Sequence, residues 1–173
     1  MHLAKLIRTV PDFPKPGIQF KDITTLLQQP EAFRGIINGW KERYLNQAID
    51  TIVGAESRGF IFGAPLAYAM GLPFVPVRKP GKLPAETISE DYELEYGTDS
   101  LEIHVDSIKS GDRVLLVDDL LATGGTMLAV AELVKRLGGE VVEMAFVVEL
   151  PPLKGREKLK DYAVHTLVEF MVD

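Results

Sequence analysis

The chain has 173 residues, enough for one domain to bury roughly 70% of the surface its unfolded form exposes. With 46% hydrophobic and 25% charged residues it is neither disordered nor fibrous, and the lack of cysteine excludes disulfides, thiolate metal sites and a thiol nucleophile. A net charge of -6 argues against general affinity for nucleic acid, and no window approaches the ~20 apolar residues of a membrane span, so neither is expected as a partner.

The opening "MHLAKLIRTV" lacks the long apolar run and small-residue cleavage site of a secretory signal, which makes cytoplasmic residence the expectation. Residues 1–30, with prolines at 11, 14 and 16, read as an arm laid on the domain. "PEAFRGIINGWKERYL" follows, with Pro30 at a first helical position and Phe33, Ile36, Ile37, Trp40 and Tyr44 at three- and four-residue steps: an amphipathic helix. "IDTIVGA" predicts a short buried strand, "SRGFIFGAPLAYAMG" a turn feeding a helix that stops at Gly71, and "PFVPVRK" a second strand.

The polar stretch "LPAETISEDYELEYGTDSLEIHVD" predicts a hairpin or long loop projecting from the sheet, and residues 80–105 have the length and charge of a flexible lid over a site. The alternation then resumes. "RVLLVDD" predicts a strand, and "GTMLAVAELVKRL" a helix with Met127, Val130, Ala131 and Val134 on one face. Gly138 and Gly139 end that helix, and "EVVEMAFVVEL" predicts the next strand. The expected fold is α/β, a single domain over 1–173 with a mainly parallel twisted sheet, helices on both faces, a small N-terminal hood and the projecting hairpin.

The chemistry concentrates in "VLLVDDLLATGGTM", residues 114–127. Ligands of open parallel sheets bind beyond the carboxyl ends of the strands, where Asp118 and Asp119 are expected. The loop Ala122, Thr123, Gly124, Gly125, Thr126 offers backbone N–H groups, two hydroxyls and the positive end of a helix, a cradle for phosphate. Two carboxylates repel the same phosphate and must meet another part of the ligand. A ribose 5-phosphate has that layout, with its hydroxyls on the acids and its phosphate on the loop. Taken separately, an acid pair can cap a turn and Gly-Gly can be a turn. No G-x-x-x-x-G-K-[ST] or G-x-G-x-x-G competes. "VRKPGK", residues 77–82, is the place for a local anion site, while His2, His104 and His165 lack ligand spacing and receive no role.

"VLLVDDLLATGGTM" resembles the signature of the type I phosphoribosyltransferases, which bind 5-phosphoribosyl 1-diphosphate (PRPP). "DFPKPGIQFKDITTLL", "ESRGFIFG" and "VELPPLKGREKL" extend the resemblance along nearly the whole chain to the adenine-using members of that family. It implies a Mg2+-dependent glycosyltransferase of purine salvage, a homodimer that joins adenine to PRPP to give AMP and diphosphate through an oxocarbenium-like state, with the metal held mainly by PRPP. On these residues, 122–126 hold the 5-phosphate and Asp118 with Asp119 meet the ribose.

By the same resemblance Arg58, Arg78, Lys79 and Lys82 hold the diphosphate, beside a cis peptide between Glu56 and Ser57. Glu95 handles the proton of the base and Tyr96 covers the site. Adenine lies under the arm, stacked on Phe20 with backbone contacts from Gln19 and Lys21, while Leu150 either closes the other face of the ring or belongs to the core. Two readings compete: a nucleic-acid-binding regulator that senses PRPP, disfavoured by the negative charge, and an enzyme for a 6-oxo purine, which presents an acceptor where adenine presents a donor.

Overall fold

Four consecutive buried residues, Val114 to Val117, set the plan of the molecule. A strand buried on both faces sends alternate side chains into two cores, each of which must be covered. Leu115 and Val117 enter a cluster with Ile36, Trp40, Phe62 and Leu66, whereas Val114 and Leu116 enter another with Met127, Val130, Val134 and Phe146.

The computed structural model describes residues 2–94 and 97–171. In chain order these form the strands β1 (Arg8–Pro11) and β2 (Gln19–Asp22), the short helix α1 (Thr24–Leu27), and α2 (Pro30–Tyr44). β3 (Thr51–Ala55), α3 (Arg58–Met70) and β4 (Phe74–Val77) come next, followed by β5 (Thr87–Glu93) and β6 (Thr98–His104). The chain continues through β7 (Arg113–Leu121), α4 (Gly125–Arg136), β8 (Glu140–Glu149), the short α5 (Gly155–Lys158) and β9 (Val164–Glu169). Among the described residues the central sheet has the order β4-β3-β7-β8-β9, with every neighbouring pair parallel. Residues of α2 and α3 belong to the first core, and those of α4 to the second.

The expected α/β architecture is therefore present, with differences in detail. The arm contains an antiparallel hairpin, β1 on β2, which Pro11, Pro14 and Pro16 obscure in the sequence. The polar stretch is a hairpin rather than a loop, paired from Thr87↔His104 to Glu93↔Thr98. Its strand β6 buries Leu101 and Ile103 in the second core, so its base is part of the packed body. β9 was not expected; it is a half-exposed edge strand whose residues carry no continuous apolar run. α3 stops at Gly71, where φ of 66° suits glycine.

The sheet leaves one crevice. β3 pairs with β7 only as far as Gly54↔Val117, yet β7 continues beside β8 to Leu121↔Glu149. The acids thus stand inside the last part of β7, two residues before its end, on a stretch that β3 no longer flanks. Strand order also reverses between β3 and β7, the switch point at which open α/β sheets take their ligands. Among the described residues no helix is long and apolar enough to cross a membrane.

Candidate active site

Two helices begin at this switch point. α3 starts directly after β3 and α4 after β7; neither has a side-chain cap on its first turn, and neither has an acid there. The leading N–H groups of both are available to anions, and both dipoles present their positive ends. Between them lies a cleft of about 130 Å³ lined by Glu56, Ser57, Arg58, Lys79, Asp118, Asp119 and Thr126, with Tyr92 and Leu101 from the hairpin. A ligand with anionic groups at two ends and hydroxyls between them matches that arrangement.

The expected cations do converge here, each engaged with a carboxylate. Arg58 Nε donates to Asp119 Oδ2 at 2.6 Å, and Asp119 is only 3% exposed. Arg78 Nε and Lys82 Nζ both reach Glu56, at 2.8 and 2.7 Å. Lys79 donates to Asp99 and, at 2.7 Å, to the Tyr92 hydroxyl. The Glu56 carboxylate as a partner of these cations, and Asp99 and Tyr92 altogether, were missed by sequence reasoning. Glu56 stands in the quoted "ESRG", while Asp99 reaches Lys79 only through hairpin register, which no sequence pattern announces. The Glu56–Ser57 peptide is cis.

These pairings set the protonation states. Burial raises Glu56, but hydrogen bonds from Lys82, Arg78 and the Lys79 backbone overcome it and hold the carboxyl below its usual range. Lys79 is pulled down by burial, yet Asp99 and Tyr92 leave it above the ordinary lysine value. The hydrogen bond from Lys79 in turn lowers Asp99. Asp118 behaves oppositely: burial, and then the charge of Asp119, push its carboxyl well above the normal range against the opposing pull of Arg58 and the Asp119 N–H. The two acids are therefore unlike, one ion-paired and one favouring its proton until a ligand supplies hydrogen bonds.

Residues 122–126 run from the end of β7 into the first turn of α4, which begins at Gly125, with Gly124 before it at φ 87°. Glycine is needed there for packing as well as conformation, since a Cβ would come within 2.9 Å of the Gly155 carbonyl oxygen. Gly125 is less crowded: a Cβ there would make ordinary contacts with Glu93 and Tyr92 of the hairpin. Thr126 lines the cleft.

On the other side, the β1–β2 hairpin brings Phe20 within 5.9 Å of the Arg58 guanidinium, and Phe13 meets Phe20 edge-on at 5.1 Å. Lys21 turns away to Thr9 and the Phe170 ring, while Gln19 is exposed. Leu150 packs against the first core and donates its N–H to the Leu121 carbonyl, next to residues 122–126. Glu95 and Tyr96 lie outside the described residues.

The fold and the cleft define a phosphoribosyltransferase: the phosphoribosyl transferase domain model matches residues 22–172. The chain is 59% identical over 168 residues, 97% of each chain, to the adenine phosphoribosyltransferase of Chloroflexus aurantiacus. The crystal structure of the adenine phosphoribosyltransferase from Thermoanaerobacter pseudethanolicus superposes with a TM-score of 0.94 at 55% identity, covering 97% of this chain and 98% of that one. That of Saccharomyces cerevisiae, complexed with adenine and an imino-altritol bisphosphate, superposes at 0.91 with 45% identity, covering 95% and 96%. The chain belongs to the adenine phosphoribosyltransferase family.

Proposed function

We propose that this protein transfers the 5-phosphoribosyl group of PRPP to adenine. The N9–C1′ bond forms, the C1′–O bond to diphosphate breaks, the N9 proton leaves, and the products are AMP and diphosphate. The observation that carries this reading is the pair of uncapped helix N-termini, α3 and α4, on either side of Asp118 and Asp119. PRPP has the same order of groups, with diphosphate at one end, ribose hydroxyls in the middle and phosphate at the other.

In this reading residues 122–126 hold the 5-phosphate, and the ribose hydroxyls donate to Asp118 and Asp119. Those hydrogen bonds favour the ionised form of Asp118 and so offset the cost of its burial. Arg58, Arg78, Lys79 and Lys82 exchange their carboxylate partners for diphosphate oxygens, and so stabilise the charge that develops as diphosphate departs. The ring left behind is oxocarbenium-like, which makes exclusion of water important; the hairpin over the cleft serves as the lid, with Tyr96 covering the site and Glu95 taking the N9 proton. Adenine stacks on Phe20, meets the backbone at Gln19 and Lys21, and is closed from the far side by Leu150.

Mg2+ fits this donor set. It takes one or two carboxylates together with phosphate oxygens, and among the described residues no three histidine or acid side chains gather to form a protein cage. The metal would be held mainly by PRPP, with Asp118 and Asp119 the acids on the β7 edge of the cleft that could add hard oxygens, and it would supply neutralisation of the leaving diphosphate.

The same reading makes the protein a cytoplasmic enzyme of purine salvage and a homodimer. An apolar face of α2 and α3 suits a second copy: Tyr68 is 91% exposed beside Phe33, Ile37 and Pro65. Sedimentation measures the association. Incubation with PRPP, Mg2+ and each purine base tests the activity. Adenine is expected to turn over fastest, because a 6-oxo purine would leave mismatched buried polar groups at ~1 to 3 kcal/mol each; faster turnover of guanine or hypoxanthine overturns the reading.

A further inference from the structure

The transfer reaction as derived uses Leu150 from "VELPPLKGREKL" and leaves its two charged partners, Glu149 and Arg156, without a task. Glu149 is the last residue of β8 and only 4% exposed. It is gripped from two directions. Arg156 Nε donates to its Oε1 and Oε2 at 2.8 and 3.0 Å, and Thr166 Oγ1 donates to Oε2 at 3.0 Å. The remaining guanidinium nitrogens of Arg156 reach the Val164 carbonyl at 3.1 Å and Thr166 Oγ1 at 3.2 Å, fastening α5 to β9 as well.

What α5 touches gives this network its consequence. Gly155, adjacent to Arg156, lies backbone to backbone against the phosphate loop: a Cβ on it would stand 2.5 Å from the Ala122 carbonyl oxygen and 2.7 Å from Leu121 Cδ1. Leu159, fully buried, stands with its Cγ 3.4 Å from where a Cβ on Gly124 would lie. Leu150, adjacent to Glu149, is bonded to Leu121 at 3.0 Å. One charge-assisted contact therefore sits between the segment that meets the base and the segment that meets the 5-phosphate.

We infer that the Arg156–Glu149 pair is a positioning element that sets the separation between Leu150 and the loop 122–126. Neither residue lines the cleft; the pair presses Gly155 onto the loop and anchors Leu150, so the two ends of the nucleotide are held at one fixed spacing. This rests on the proposed transfer reaction. Because the groups being positioned bind parts of the substrates that do not react, their displacement appears mainly in KM rather than in kcat.

The molecule contains its own control. Nearer the start of β8, Arg43 also pairs with a β8 glutamate, here through two nitrogens, Nε and Nη2, on the two oxygens of Glu143 at 2.9 and 3.0 Å, and neither residue lines the cleft. Steady-state KM and kcat for PRPP and adenine, melting temperature, and calorimetric binding of ribose 5-phosphate are measured for wild type, Arg156→Gln, Glu149→Gln, Arg156→Lys and Arg43→Gln. Arg156→Gln and Glu149→Gln are expected to raise both KM values about tenfold and weaken ribose 5-phosphate about tenfold, with kcat changed less than about threefold, as a shift below 1 Å would do. Arg156→Lys, which keeps the charge but loses the planar donors that reach Val164 and Thr166, falls between them and wild type. Arg43→Gln lowers the melting temperature without moving either KM.

The inference is overturned if Arg156→Gln melts early but keeps both KM values within twofold, or if Arg43→Gln raises them equally. Should the glutamine variants not fold, Arg156→Lys and Thr166→Val carry the same expectation at about threefold, and unchanged KM in both overturns it. A wild type that binds ribose 5-phosphate but does not turn over adenine counts against the transfer reaction alone, and the ribose 5-phosphate affinities then decide the positioning role.

Discussion

Replacing Gly124 with alanine tests the proposed phosphate loop at the point where conformation and packing coincide. At φ 87° a side chain costs about 1–2 kcal/mol in the left-handed region. The new methyl would also stand 2.9 Å from the Gly155 carbonyl oxygen and 3.4 Å from Leu159 Cγ. The first of these is backbone, pinned by the neighbouring Arg156, so it cannot swing aside as a flexible side chain would; such overpacking costs about 1–3 kcal/mol. The combined loss is roughly 2–5 kcal/mol, which for a chain of this size lowers Tm by about 10 °C. The movement that relieves the overlap displaces N–H groups proposed to hold the 5-phosphate, so KM for PRPP rises by at least about tenfold. Circular dichroism melts and initial-rate kinetics measure the two effects. A Gly124→Ala protein with Tm within about 2 °C of wild type and an unchanged KM would refute both the packing argument and the location of the phosphate.

Gly35→Ala is the converse case: it lies in the interior of α2, a Cβ there meets nothing within 4 Å, and the gain of about 0.5–1 kcal/mol should appear as a slightly higher Tm with unaltered kinetics. Asp118→Asn should stabilise the unliganded protein while weakening PRPP. Burial raises this carboxyl in the folded state, so the unfolded chain ionises first as pH rises above about 4; the penalty is absent in acid, grows with pH and is fully present above the raised value. Urea titrations should therefore show the variant gaining on wild type between pH 4 and pH 7, and a constant or inverted gap would contradict the buried assignment. Glu95→Gln is expected to lower kcat with a smaller effect on KM; a wild-type kcat would remove Glu95 from the proton transfer.

Residues 114–127 were informative in sequence because each local requirement there has a residue signature. Apolar residues on both strand faces, unsubstituted backbone at a left-handed turn and the apolar face of α4 can all be read without knowing what lies nearby. The alternation of strands and helices likewise announced a parallel sheet. Short elements were less visible. β1 and β2 are four residues each among prolines, and β9 is a half-exposed edge whose pairing depends on the rest of the sheet.

Electrostatic partnership is where sequence stopped and tertiary structure decided. Nothing in "RKPGK" indicates that Arg78 and Lys82 share Glu56, or that Lys79 is held by Asp99 across hairpin register. Asp118 and Asp119 are identical neighbours in the chain, yet one is paired with Arg58 and the other raised by burial, because adjacent strand positions meet different surroundings. Gly155 was part of a recognisable segment, but its contact with Leu121 and Ala122 arises only when the chain after β8 folds back against the end of β7. The order of residues determined which backbone shapes and which chemical groups were available, since those follow from short-range sterics and residue type. Which charge meets which, and what each contact supports, depended on distances between residues far apart in the chain, and only the assembled sheet sets those.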